Sequence, residues 1–141
     1  MKFYHDKNLG LLINIPLLLA LSIFSYQHYV LGEAVESIGF LNLVLLVGVY
    51  PLLEEYVFRG LFQTYCLKKL QGSINPWLSF ANLITSVVFA CSHLLVNFTL
   101  LSVLTFFPSL IYGYYREKYN TIAPCVGLHV SFNCTYLLLS H

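Results

Sequence analysis

Glu54, Glu55 and Arg59 fall within six residues of one another, inside the apolar run that leads to Cys66. Two further apolar runs hold Phe89-Ala90-Cys91-Ser92-His93 and His129-Val130-Ser131-Phe132-Asn133. Glu55 and Arg59 are spaced i,i+4, so on a helix they share a face and can pair through charge-assisted hydrogen bonds. Glu54 points about 100° away from that pair and is left for chemistry. A carboxyl in low dielectric can be poised to exchange a proton near neutral pH, as a general acid or base must. His129 and Asn133 repeat the i,i+4 spacing and add an imidazole and an amide on one face. A carboxylate base, an imidazole and a pair of donors are the parts of water-mediated hydrolysis. One group draws a proton from water while the others stabilise the oxyanion. From chemistry alone, Glu54, His93 and His129 also suit a zinc ion with one open position. No HExxH run is present, so a route that requires no metal or other cofactor is the expectation.

Each of these residues also has a plainer reading. The Glu55–Arg59 pair is expected to lock the helix or dock it to a neighbour. A single histidine or asparagine inside a membrane is often a hydrogen-bonding bridge between helices. Ser92 and Ser131 are expected to bond carbonyls of their own helices. Polar groups recurring on three separate runs favour a shared site over three unrelated bridges.

The elements that must position these groups follow from composition. Of 141 residues, 58% are hydrophobic and 9% are charged, where a soluble domain carries about 25% charged residues. Mean hydropathy is +0.74. The net charge of +1 supplies no field for nucleic acid. The four cysteines, Cys66, Cys91, Cys125 and Cys134, lack CxxC spacing and read as small buried apolar groups. The expected fold class is all-α: a polytopic transmembrane helix bundle of about five spans in a single domain, 1–141. The spans are placed at 9–31, 38–66, 77–97, 99–115 and 123–140, and all but the second are near the roughly 20 residues needed to cross hydrocarbon. Residues 1–37 form a leading helix and outer loop, and residues 38–141 the core that carries the polar motifs. With the N-terminus cytoplasmic, Lys2, Lys7, Lys68, Lys69, Arg116 and Lys118 share one side and Glu33 and Glu36 the other, as the positive-inside rule requires. The second span is too long for one straight crossing, and Pro51 is the expected place for a break or kink.

At these positions the sequence resembles the CAAX protease and bacteriocin-processing (CPBP) family of glutamate-type intramembrane proteases, related to the Ras-converting CAAX endopeptidase. The family's pattern of EExxxR, FxxxH and HxxxN stands here, in order, as residues 54–59, 89–93 and 129–133. The resemblance covers about residues 51–136. It implies that Glu54 activates water with help from His93, that His129 and Asn133 stabilise the oxyanion, and that Glu55 and Arg59 support the site. It further implies a membrane-associated peptide or protein as substrate and the lipid bilayer as solvent, in a bacterial inner (plasma) membrane. A scaffold or self-immunity factor that uses the same polar cavity without catalysis is the alternative expectation.

Overall fold

The computed structural model describes residues 3–31 and 39–140. The expected outer loop with Glu33 and Glu36, the start of the second span at Ile38, Lys2 and His141 lie outside the described residues. Helix α1 spans Lys7–Tyr29. Asp6 caps it, its carboxylate accepting from the Asn8 N–H at 3.0 Å. Helix α2 spans Phe40–Lys69. A short antiparallel ribbon follows, β1 (Ser73–Asn75) and β2 (Leu78–Ser79), turning at Pro76-Trp77. Then come α3 (Phe80–Val96), α4 (Leu100–Leu104), α5 (Phe106–Tyr119) and α6 (Ala123–Ser140). The all-α expectation therefore holds apart from this five-residue ribbon. Helices α1 and α2 are each long and apolar enough to cross a membrane.

The expected break at Pro51 is absent. Helix α2 continues unbroken through that position for 30 residues, about 45 Å of helix. The reason lies one turn earlier. Over Val44–Val49 the helix widens to i→i+5 bonding, and the Tyr50 N–H reaches Leu45 O. A wide turn makes room for the proline ring, which would otherwise collide with the carbonyl four residues back. A second widened stretch, Tyr56–Gln63, begins immediately after Glu54 and Glu55.

Other boundaries shift for local reasons. Trp77 sits in the ribbon's turn, and α3 begins at Phe80 because Ser79 caps it, its Oγ accepting from the Asn82 N–H at 2.9 Å. The fourth segment continues past Tyr115 to Tyr119 and ends on Asn120, whose φ of 53° stops the helix. Arg116, expected among the loop charges, is consequently a buried side chain of α5. The fifth segment matches its expected bounds, 123–140.

The chain divides into two compact units, Met1–Leu52 with Val126–His141, and Leu53–Cys125. In the second unit the usual distribution of polarity is reversed. Glu55, Arg59, Gln63, Asn82, Thr85, Ser86, Ser109 and Arg116 are buried, while Leu61, Ile84, Val87 and Val88 are exposed. On α3 the buried residues Ala81, Asn82, Thr85, Ser86, Phe89 and Ala90 form one stripe at helical spacing. A chain that turns its polar stripe inward and its apolar stripe outward suits hydrocarbon rather than water. Helix α3 packs on α5, where Asn82 meets Gly113. A Cβ on Gly113 would lie 1.8 Å from Asn82 Oδ1, so the close approach requires glycine there. Asn82 Nδ2 donates to Leu110 O at 2.9 Å across the same contact.

Candidate active site

Helix α2 presents Glu54, and the C-terminal half of α3 presents His93. His93 Nε2 stands 3.7 Å from Glu54 Oε2, with 29% and 33% of the two side chains exposed. That is too long for a direct hydrogen bond, yet close enough to couple the two charge states. The other ring nitrogen of His93 is 3.0 Å from Phe89 O. A carbonyl only accepts, so Nδ1 carries the hydrogen and Nε2 is the atom that faces Glu54. The Phe89 ring lies against the His93 ring, centroids 4.4 Å apart, and is held edge-on by Phe58 at 5.0 Å. The FxxxH spacing thus gives one residue two tasks: Phe89 orients the imidazole by its ring and fixes the tautomer by its carbonyl.

Glu55 and Arg59 turn the other way and are fully buried. Arg59 Nε donates to Glu55 Oε2 at 3.2 Å, as the i,i+4 spacing predicts. Arg59 also donates to Ser109 Oγ and, at 3.4 Å, to Gln63 Oε1, and its guanidinium lies 5.5 Å from the Phe89 ring centroid. Gln63 Nε2 continues to Gly113 O at 3.1 Å and Glu117 Oε1 at 2.8 Å. Arg116 Nε donates to Arg59 O at 3.2 Å and its Nη2 to Thr64 Oγ1 at 3.0 Å, filling acceptors along the widened stretch of α2. Buried charges are tolerable when they are paired or fully hydrogen-bonded: Glu55 and Arg59 pair with each other, and Arg116 is bonded to neutral acceptors.

His129 and Asn133 lie one turn apart on α6, in the first unit. His129 is buried. Asn133 Nδ2 donates to Leu46 O at 2.8 Å. In the wide register of that stretch, the N–H due to reach Leu46 O would belong to Pro51, which has none. Asn133 therefore supplies the donor that the proline withholds, and one hydrogen of its amide remains for other use. Ser92 bonds Phe89 O in its own helix as expected, whereas Ser131 reaches across to Ile13 O. That carbonyl lies in the turn before Pro16, where the helix also lacks a donor.

A family model described as type II CAAX prenyl endopeptidase Rce1-like matches residues 36–135, more than half of the chain. The chain belongs to the Rce1-like family. The match spans all three motifs, so in this Rce1-like chain the 3.7 Å approach joins the first motif to the second. No curated protein and no solved structure gives a match. Among the described residues, no three His, Cys, Asp or Glu side chains form a group suited to a metal ion. The sequence marks none of Gln63, Ser109, Gly113 and Glu117, and marks Arg116 only as a loop charge. The signal was present in α2, where Glu55, Arg59 and Gln63 recur every fourth residue.

Proposed function

We propose that this Rce1-like chain is an intramembrane endopeptidase. It hydrolyses a peptide bond of a membrane-associated substrate, at a C-terminal tail, a sorting signal or a leader junction. The observation that carries this reading is the Glu54–His93 approach at 3.7 Å, with both side chains partly accessible. With Nδ1 committed to Phe89 O, the Nε2 of His93 is the ring nitrogen that faces the Glu54 carboxylate. A water beside the pair gives a proton to Glu54 as its oxygen attacks the substrate carbonyl. The new C–O bond places negative charge on the former carbonyl oxygen, and the family pattern assigns its stabilisation to His129 and Asn133. The pair then returns a proton to the leaving nitrogen as the C–N bond breaks, yielding a carboxylic acid and an amine. Every step uses side chains of the chain itself. We place the site in a bundle of about five spans with a cytoplasmic N-terminus, in a bacterial plasma membrane.

The decisive experiment is Glu54→Gln in native membranes, assayed on co-expressed reporters bearing a CAAX tail, a sorting tail or a leader junction. Glutamine keeps the shape and removes the base. Cleavage of at least one reporter by the parent, lost in the variant with membrane residence unchanged, is the expected result. Equal cleavage by parent and variant, or no reporter cut by the parent, sinks the reading.

A further inference from the structure

Glu117 lies at the C-terminal end of α5, away from the three motifs. Its Oε1 accepts from two residues that belong to two other elements. Gln63 Nε2 of α2 donates at 2.8 Å, and Ser79 Oγ, the cap of α3, donates at 2.6 Å. One carboxylate oxygen thereby ties the helix that carries Glu54 to the helix that carries His93. Gln63 in turn bonds Arg59 at 3.4 Å and Gly113 O at 3.1 Å, so the tie continues as a buried polar column toward Glu55.

We propose that Glu117 is a positioning residue that sets the register of α2 against α3, and so the spacing of Glu54 and His93. Glu54 is nine residues from Gln63, about 14 Å along α2, and His93 is fourteen residues from Ser79, about 21 Å along α3. Two helices fixed at one shared atom present their distal side chains at a defined offset. A slip of a single residue, about 1.5 Å, would change a 3.7 Å approach substantially. The packing at Gly113 fixes how closely α3 and α5 approach, while the Glu117 bonds fix where along their length they are held. This inference rests on the proposed pairing of Glu54 and His93 as the reacting groups.

Its test is independent of cleavage. In a chain with Cys66, Cys91, Cys125 and Cys134 replaced by alanine, Glu54→Cys and His93→Cys are joined in membranes by a short bis-methanethiosulfonate reagent. Glu117→Leu should slow crosslinking by about five-fold or more, the equivalent of one hydrogen bond. Glu117→Gln, which keeps an acceptor oxygen for both donors, should crosslink like the parent. In the native-cysteine enzyme, Glu117→Leu should lower kcat about ten- to hundred-fold with KM little changed, the signature of misplacement rather than lost binding. If Glu117→Leu does not fold, Gln63→Met removes the α2 arm at similar volume and must show the same slowing. Parent-like crosslinking in Glu117→Leu or Gln63→Met overturns the proposal, whether or not any peptide is cut.

Discussion

The side chain of Asn133 donates to the backbone carbonyl of Leu46 at 2.8 Å, replacing the hydrogen bond that Pro51 cannot give. A residue that the family pattern marks for catalysis thus also closes a gap in the backbone of α2, a few residues before Glu54. The two roles are compatible, because an amide nitrogen has two hydrogens. They predict different consequences, and the backbone role can be isolated.

Pro51→Ala restores an N–H that can reach Leu46 O. In the parent, Asn133→Leu should cost about 1–3 kcal/mol by leaving that carbonyl unbonded. In the Pro51→Ala background the same change should cost clearly less. Thermal unfolding of all four combinations in one detergent measures the coupling. Equal costs in both backgrounds would show that Asn133 does not serve the proline gap.

The Glu54–His93 pair should behave as one unit in catalysis. Removing either group should lower kcat by about 10²–10⁴-fold. The double variant Glu54→Gln/His93→Ala should be little worse than the poorer single variant. Because the pair is proposed to supply both the base and the acid, the parent's pH–rate profile should be bell-shaped and each single variant should lose a limb. Additive losses with an unchanged bell would separate the two residues.

Arg59 and Glu55 are both fully buried, and breaking that pair on one side leaves a charge without its counterpart. Arg59→Met alone should destabilise by about 3–5 kcal/mol, and Glu55→Leu/Arg59→Met should recover part of the loss. Chemical unfolding monitored by tryptophan emission from Trp77 reads both. A double variant weaker than Arg59→Met would contradict the pairing.

Gly113→Ala places a methyl where Asn82 Oδ1 lies, 1.8 Å from the new atom. The expected penalty is about 1–3 kcal/mol from overpacking. Asn82→Ala, introduced together with it, should return part of that stability by vacating the space. A tolerated Gly113→Ala would mean that α3 and α5 approach less closely than described.

How far the sequence could be read depended on which forces acted locally. The α6 boundaries were legible because Asn120 and Pro124 punctuate the chain, and the Glu55–Arg59 pair because i,i+4 spacing fixes a shared face. Of the break or kink expected at Pro51, the break does not occur, and the compensating wide turn at Val44–Val49 leaves no mark in residue types. Arg116 was misassigned for another reason: charge counting treats an arginine near a helix end as solvated, while three acceptors in the fold enclose it. Asn133 showed its polarity in the sequence but not its partner, since a backbone carbonyl has no letter. Glu117 and Gln63 stayed hidden because their bond joins residues 54 positions apart.

Helix α2 has 30 residues, and Glu54 is the fifteenth of them. The carboxylate proposed to react is therefore about 22 Å from either end of the helix, at mid-bilayer depth if α2 crosses upright. A peptide bond delivered there arrives with its own N–H and C=O normally tied up in a helix, since hydrocarbon offers nothing in exchange. For the proposed cleavage, the substrate would first have to unwind, and the chain would have to supply the partners that the unwound backbone has lost. Selectivity would then depend less on the identity of the residues flanking the cut than on how readily a segment gives up its helix. Glycine, proline or polar residues near the scissile bond would promote cleavage, and a uniformly leucine-rich helix would resist it.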